Sequence, residues 1–367
     1  MSERPHNAST RDELVGLLHT ARQQPHDDTP RLIVADWLEE FGDEVDCARA
    51  EFVRLQVGLR LPPNTGGRPQ ALLAAHRDAW LGPLAKLGDA VRFERGMVAL
   101  NLPVSGLVGR AGERLMQGEA MAWLEKVTLR QANDASVATF VSSPLLPQIG
   151  NLVISCADLG VEAGRALVRS SATSGLVAID VSNNHLSNLG AGALAGSPDL
   201  AGLRSLCLQS NSISVSGALA LARSCHLQNL RYLNLGGNSI RDEGMGAIAA
   251  SPLLANVETL FVCGNDIWDE GAGRLAQSPM VGKMRRLRLS DNEIGDEGAL
   301  AMAQSRHLKS LERLNLARNR ITDVGAWALL QSPNLSRLAE VDLAGNRLSD
   351  AMMKAVRGRF PGREAEA

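Results

Sequence analysis

The feature that most constrains this 367-residue chain is a string of aliphatic residues around an asparagine that returns every 27 residues. The asparagines follow one another without an insertion or deletion. They are Asn184, Asn211, Asn238, Asn265, Asn292, Asn319 and Asn346. A unit of this length has one short apolar strand and one apolar helix face, which it cannot bury alone. Units of this kind bury those faces against copies of themselves, so the sequence predicts a linear stacked array.

The strings themselves predict which side chains enter the core. In Leu230-Arg-Tyr-Leu233-Asn-Leu235 the last two leucines flank one other residue, which is the alternation of a β-strand. The residue between them must therefore face the other side of the sheet. The asparagine follows where the chain turns inward, and its amide is expected to bond backbone groups of neighbouring coils. We interpret the seven asparagines as a structural ladder without a catalytic role.

The second half of each unit predicts a helix of about two to three turns, because alanine-rich stretches recur there with helical spacing. An aspartate recurs at one offset and is expected to be the N-cap of its own helix. These aspartates are Asp242, Asp269, Asp296, Asp323 and Asp350. A serine, often followed by a proline, recurs where the helix should end.

The combined pattern, Leu-x-x-Leu-x-Leu-x-x-Asn-x-Leu/Ile, resembles the signature of leucine-rich repeats. Weaker units begin at Met97, Leu124 and Ile149, which brings the number of units to ten. The long helical half is similar to that of the ribonuclease-inhibitor-like subfamily. The resemblance covers residues 97–357. It implies an α/β leucine-rich repeat solenoid of about ten strand–helix units, with a curved parallel sheet on its concave face.

Residues 9–96 do not repeat and predict a small helical domain. Helices are expected over residues 10–24, 29–41, 47–61 and 70–81, with a loop at 62–69 and a strand at 91–93. Ile33, Trp37 and Phe41 recur at four-residue steps and are expected in the core. The strings Asp27–Glu40 and Arg49–Gln56 resemble the repeat-companion domain that precedes repeat arrays in some bacterial proteins. We expect this segment to cap the open N-terminal end of the array.

The expected domain organisation follows from these patterns. Residues 1–8 are expected to be disordered, 9–61 to form the helical domain, 62–96 to supply a linker, a helix and the cap, 97–357 to form the solenoid, and 358–367 to be a tail.

No pattern in the sequence indicates a catalytic site. The zinc-binding HExxH, phosphate-binding GxxxxGK[ST] and nucleophile-elbow GxSxG motifs are all missing. The seven histidines are dispersed and the five cysteines form no CxxC pair, so neither a metal site nor a cofactor is expected. With 38 basic and 40 acidic residues, the net charge favours neither nucleic acid nor a membrane surface. The odd number of cysteines and the lack of a visible signal peptide favour a cytoplasmic protein. Because no residue stands out as a nucleophile with an activating base, the protein is not expected to be an enzyme.

The register of the leucines identifies the residues on the exposed face of the predicted sheet. Most are small and polar, but the middle of the array places aromatic residues beside arginines, the composition of interaction hot spots. The candidate partner-binding residues on the concave face are Tyr232, Phe261, Arg286, Arg288, Arg313 and Arg318. An alternative interpretation is compositional bias, because arginine outnumbers lysine by 33 to 5 in this chain.

The sequence therefore favours a non-catalytic scaffold that binds a protein partner on the array. A regulator of another enzyme, such as an activator or inhibitor of a GTPase, is the main alternative, and it rests on fold resemblance alone. An enzyme in the N-terminal helices is a third hypothesis. Nucleic-acid binding is not expected, because the predicted face has few aromatic residues for stacking. The sequence leaves the partner, its pathway and the oligomeric state open.

Overall fold

The computed structural model describes residues 8–25, 27–58, 67–115 and 118–360. Most of the predicted loop at 62–69 and of the two predicted tails lies outside the described residues. The chain divides into two compact units. The first consists of residues up to 132, 139–154 and 175–178, and the second of residues 133–138, 155–174 and those from 179 onward. The domain limits predicted from the sequence stay predictions.

Four helices open the first unit, as the sequence predicts. They are α1 (Ala8–Gln23), α2 (Thr29–Phe41), α3 (Glu44–Val57) and α4 (Arg68–Leu81). Helix α3 begins three residues before its predicted start because of a reciprocal cap. The Asp43 carboxylate accepts a hydrogen bond from the Asp46 N–H at 2.9 Å, and the Asp46 carboxylate accepts one from the Asp43 N–H at 3.3 Å.

Helix α2 contributes a single apolar stripe to the core of this unit. Val34, Trp37 and Leu38 are at most 5% exposed. The prediction that Ile33 and Phe41 lie in the same core is wrong, because they are 47% and 43% exposed. A four-residue step exceeds the 3.6-residue helical turn, so each step rotates a side chain by about 40°. Ile33 and Phe41, one step before and one step after Trp37, therefore lie outside the buried face of the helix.

Two buried arginines connect the helices to the strands within the first unit. Nη2 of Arg31 donates to both carboxylate oxygens of Glu125, at 2.7 and 2.6 Å. Asn151 donates to the same carboxylate at 3.2 Å. Burial raises the pKa of Glu125 above its ordinary value even though Arg31 opposes that shift. The Arg49 guanidinium lies 3.4 Å from the centroid of the Trp123 ring, and burial lowers its pKa to about 9.

In the part of the chain that the structure describes, eleven strands form one sheet and lie in it in chain order. They are β1 (Val91–Glu94), β2 (Met97–Pro103), β3 (Leu124–Arg130), β4 (Asn151–Val153), β5 (Ala178–Asp180), β6 (Ser205–Cys207), β7 (Tyr232–Asn234), β8 (Thr259–Phe261), β9 (Arg286–Arg288), β10 (Arg313–Asn315) and β11 (Glu340–Asp342). Strand β1 is antiparallel to β2. Strands β6 to β11 pair in parallel, with partners 27 residues apart, as Tyr232 is with Thr259.

A helix follows each strand from β2 onward. These helices are α5 (Gly109–Leu115), α6 (Asp134–Phe140), α7 (Val161–Arg169), α8 (Ser187–Ala195), α9 (Val215–Ala222), α10 (Arg241–Ala250), α11 (Asp269–Gln277), α12 (Asp296–Gln304), α13 (Asp323–Leu330) and α14 (Asp350–Arg359). The ten strands β2 to β11 correspond to the ten predicted units, so the predicted α/β array of strand–helix repeats is confirmed.

The repeated asparagines connect coils of the second unit through their side-chain amides. Asn265 is completely buried and donates to the Leu235 carbonyl of the preceding coil at 2.9 Å. Its Oδ1 accepts from the Ile240 N–H of that coil at 3.3 Å. Its own backbone N–H donates to Oδ1 of Asn292 in the next coil at 2.9 Å. Each buried asparagine thus supplies partners that strand pairing does not provide.

The repeated aspartates form a second set of bonds between coils, and this corrects the sequence prediction. Asp269 begins α11 but makes no capping bond to its own helix. Its Oδ1 instead accepts from the N–H groups of Gly295 and Gly298 at 2.7 and 2.9 Å, at the start of α12. A Cβ on Gly298 would lie 2.7 Å from that oxygen, so the close approach requires glycine. Asp242, Asp296 and Asp323 bond the start of the following helix in the same way, because a stacked neighbour presents unpaired N–H groups within reach.

The repeated serines connect the opposite ends of the same helices. The Ser305 hydroxyl donates to the Ala276 carbonyl of the preceding coil at 2.5 Å. It also accepts from the backbone N–H groups of His307 and Leu308, both at 3.2 Å. Ser224, Ser251 and Ser332 make the corresponding bonds at 2.5 to 2.6 Å. Asparagine, aspartate and serine thus stabilise stacking at three places on the coils that begin at Leu230, Val257, Met284 and Leu311.

Candidate functional site

Five residues on four neighbouring strands of the second unit form what we call the sheet-face patch. They are Tyr232 on β7, Phe261 on β8, Arg286 and Arg288 on β9, and Arg313 on β10. The middle residue of each of these four strands is buried. These residues are Leu233, Leu260, Leu287 and Leu314, with exposures of 0% to 2%. Alternation along a strand then directs the patch side chains to the opposite face.

The two aromatic rings of the patch pack on each other. Their centroids are 5.4 Å apart at an interplanar angle of 76°, an edge-to-face pair. Both residues are half-buried, whereas the sequence predicted that they would be exposed. Mutual packing across adjacent strands accounts for the difference.

Arg288 lies against this aromatic pair. Its guanidinium carbon is 4.7 Å from the centroid of the Phe261 ring, within the range of a cation–π contact. Phe261 and Arg288 are direct partners in the parallel pairing of β8 with β9. The contact holds a long, flexible cation in one place while leaving Arg288 exposed.

The arginines of the candidate site differ in their ion pairing. Arg313 is 3.3 Å from Glu340, and Arg318 is 3.3 Å from Asp291. Among the residues that the structure describes, Arg286 and Arg288 have no carboxylate within ion-pair distance. Arg318 follows β10 in a turn, with a φ of 53°, so it lies beside the patch and not on its strands. The uncompensated positive charge is therefore on β9.

The surroundings of Tyr232 are poor in water. Burial raises the pKa of the Tyr232 phenol to about 12, and the neighbouring Cys207 thiol and Asp180 carboxylate act in the same direction. Burial also raises the pKa of Cys207 to about 11. Tyr232 and Cys207 therefore stay neutral at physiological pH, and the Asp180 carboxylate is a charged group beside them on the strands before β8.

Sequence reasoning missed a second surface feature, on the turns that lead into the helices. An open cleft of about 510 Å³ surrounds the 46% exposed Trp268. Its lining is mostly acidic and consists of Arg241, Asp242, Glu243, Asp266, Trp268, Glu270 and Glu293. The Arg320 guanidinium carbon lies 4.4 Å from the centroid of the Trp268 ring. A tryptophan just before the repeated aspartate was the available signal, and no other unit has one.

Three further features of the described residues concern metal binding, thiol chemistry and membrane spans. Within the described ranges, no group of three histidine, cysteine, aspartate or glutamate side chains could hold a metal ion. All five cysteines are free thiols. Cys225 Sγ lies 3.4 Å from Nε2 of the adjacent His226 in an exposed return loop. No helix among the described residues has the length and apolarity needed to cross a bilayer.

Comparison with known proteins adds to these observations. A sequence model of the family described as Leucine Rich repeat matches residues 226–249, 283–303 and 307–330. No curated protein matches this chain. Among solved structures, an internalin from Listeria monocytogenes is similar, with 16% identity, a TM-score of 0.43, and coverage of 79% of this chain and 95% of the internalin chain.

A second similar structure is that of the TLR13–ssRNA13 complex. It has 18% identity and a TM-score of 0.42, and the match covers 68% of this chain and 33% of the TLR13 chain. Because both TM-scores are low, the assignment depends on the repeats themselves. The three matched segments all lie within the array of 27-residue units that contains the patch, and these units are leucine-rich repeats.

Proposed function

We propose that this chain is a non-catalytic scaffold that binds a protein partner through the sheet-face patch. The observation that carries the proposal is the Arg288 guanidinium held over Phe261, beside Tyr232 and on the same strand as Arg286. Tyrosine and arginine are enriched at the energetic centres of protein interfaces. Aromatic side chains that are already packed lose little conformational freedom on binding, so more of the contact energy appears as affinity.

The N-terminal helices have a separate role in this proposal, which is to cover the first strands of the array. Arg31, which is 1% exposed, pairs with Glu125 on β3. Arg49 stacks on Trp123, next to the start of the same strand. Strands β2 and β3 would otherwise expose an apolar end, as terminal repeats do without a cap. We assign residues 9–61 to the repeat-companion type on this basis, together with the two strings that resemble it.

The finer classification is also part of the proposal. Helices of eight to ten residues in the second unit support the ribonuclease-inhibitor-like subfamily. Five free cysteines support a reducing compartment such as the cytoplasm.

Site-specific photocrosslinking tests where the partner binds. A photoreactive amino acid at Thr259 would lie between Tyr232 and Arg286 in the strand register. The control position is Leu300 on α12, which is 44% exposed on the helical side. In lysate of the source organism, we expect one discrete crosslinked protein from position 259 and none from position 300.

The same crosslinking experiment includes matched variants. Combining Phe261→Ala with Arg288→Ala should remove the crosslink, whereas Trp327→Ala combined with Arg306→Ala should keep it. Trp327 and Arg306 are both exposed and lie away from the strands. A crosslink obtained only from position 300, or one that persists in the patch variant, would contradict binding at the sheet face.

A further inference from the structure

We infer that the partner presents an acidic protein segment to the patch, with one apolar side chain next to two carboxylates. This inference rests on the proposed function and specifies the chemistry that the sheet-face patch recognises. It depends on three properties of the patch, namely its uncompensated charge, the spacing of its parts and the charges that flank it.

Charge is the first property. Arginines that border the patch are neutralised within the molecule: Arg231 pairs with Glu258, and Arg285 pairs with Glu312. Arg313 pairs with Glu340 on the next strand. Arg286 and Arg288 stand among these pairs without an acidic partner in the described residues. Two exposed guanidinium groups on one strand favour carboxylates as ligands.

Spacing is the second property. Residues two apart on a strand face the same side at a distance of about 6.6 Å, so Arg286 and Arg288 form a pair of cations. Phe261 lies beside Arg288 on the adjacent strand, about 4.8 Å away. An apolar side chain that covers Phe261 and Tyr232 therefore lies within one or two residues of the position where a carboxylate meets Arg288.

The flanking charges are the third property, and they limit the length of an anionic ligand. Glu340 and Asp342 follow on β11, and Asp342 accepts a hydrogen bond from Asn315 at 3.0 Å. A nucleic-acid backbone that crossed the sheet would reach these carboxylates within two strands of Arg288. A short acidic peptide segment does not extend that far, so it fits the local positive charge better.

Selection from a phage-displayed library of random dodecapeptides on the immobilised full-length chain tests the inference. We expect enriched peptides to contain an aromatic or aliphatic residue within two positions of two aspartates or glutamates. Synthetic peptides from the selection should bind about 10- to 100-fold more weakly to the Arg286→Glu/Arg288→Glu variant. Their affinity should also fall as salt is raised from 50 to 300 mM, because exposed charges are screened.

The matched control is Arg306→Glu/Arg337→Glu, which makes the same change in net charge at two exposed arginines outside the patch. It should bind the peptides as the unmodified chain does, and equal melting temperatures would show that both variants are folded. A single-stranded RNA dodecamer is the competing probe and should bind more weakly than the peptides.

The outcomes separate this inference from the function on which it rests. Enriched peptides that lose affinity in the patch variant but carry no acidic residues would overturn the inference and leave patch binding intact. Peptides that are insensitive to the patch variant, or no enrichment at all, would count against both. Tighter binding of the RNA than of any peptide would overturn the acidic protein segment as the ligand.

Discussion

Leu260 and Phe261 are neighbours in the chain, yet one belongs to the core and the other to the surface that we propose for binding. Leu260 has no exposed surface, whereas Phe261 is half-buried and contacts Tyr232 and Arg288. The alternation of a strand produces this difference, because successive side chains point to opposite faces. At the residue scale, stability and binding are therefore separable by mutations one position apart.

Truncating these two residues should have very different effects on stability. Leu260→Ala removes buried methyl groups and should lower the free energy of unfolding by about 2–5 kcal/mol. Phe261→Ala loses the edge-to-face contact with Tyr232 and the cation–π contact with Arg288, and should cost only about 1–2 kcal/mol. Urea unfolding followed by circular dichroism measures both values. Equal costs would mean that Phe261 belongs to the core.

Tyr232, the only tyrosine in the chain, reports on the patch directly. Burial raises its pKa to about 12, so the phenol should ionise well above the value of about 10 expected in the unfolded chain. The resulting contribution to stability is complete below about pH 10 and is lost as pH rises through about 12. Absorbance at 295 nm measures the ionisation, and Tyr232→Phe, which should abolish the signal, is the control. Ionisation near pH 10 in folded protein would show an exposed phenol.

At the scale of the element, each coil is held by polar side chains that reach the adjacent coil and not their own. Asn265 bonds backbone groups of the preceding coil, and Asp269 bonds the first turn of the following helix. A helix of nine residues is too short to be stable in isolation, so these bonds and the apolar packing determine its ends.

The position of an asparagine in the array should determine the cost of removing it. Asn265→Ala leaves buried backbone groups without partners and should cost about 1–3 kcal/mol. Asn346 is only partly buried, and Asn346→Ala should cost less because water can reach the groups that it leaves. Urea unfolding of the two variants tests this order, and similar small losses at both positions would argue against a buried ladder.

Removing an aspartate should loosen the next helix and not the helix that contains it. Asp269→Ala should lower the free energy of unfolding by about 0.5–2 kcal/mol, as loss of a helix cap does. Amide hydrogen exchange should accelerate at Gly295 and Gly298, at the start of α12, with little change in α11. Asp350→Ala is the matched control, because no described helix follows α14. Faster exchange confined to α11 would restore the capping arrangement predicted from the sequence.

At the scale of the whole molecule, each compact unit has its own means of stabilisation. The second unit repeats one set of bonds between successive coils from Leu230 to Ser332. The first unit depends instead on individual buried groups, such as the Arg31–Glu125 pair and the cluster of Phe52, Leu72 and Trp80. Breaking a buried ion pair of the first unit should therefore lower the free energy of unfolding more than breaking an exposed ion pair of the second unit.

Breaking the buried ion pair tests that expectation. Arg31→Met leaves the Glu125 carboxylate without its main partner and should cost about 3–5 kcal/mol at pH 7. Burial already raises the pKa of Glu125, and loss of Arg31 raises it further. Protonation of the carboxyl relieves the penalty, so the cost should be smallest near pH 4 and grow as pH rises through the raised folded pKa.

The control for this variant is Arg165→Met, which breaks an exposed ion pair with Glu162 on α7 and should cost less than about 1 kcal/mol. Urea unfolding at several pH values compares the two. A loss for Arg31→Met that does not change with pH would show that the Glu125 carboxyl is hydrated in the folded protein.

The sequence by itself determined the repeat, the strand register and the composition of the exposed face. These features follow from local rules, because a 27-residue period with a Leu-x-Leu alternation allows only one assignment of inward and outward residues. The same rules located the aromatic and arginine residues of the patch. They also predicted Trp37 in the core of α2, although the four-residue spacing misplaced Ile33 and Phe41.

Only the tertiary structure decided which groups are partners. The repeated aspartates cap the next helix because stacking brings that helix within hydrogen-bond distance, and no pattern inside one unit contains this information. The pairing of Arg313 with Glu340, and the unpaired state of Arg286 and Arg288 among the described residues, likewise depend on neighbours 27 residues away in the chain. The sequence contains the charged residues. Which of them form ion pairs is decided only when stacking of the coils brings their side chains close together.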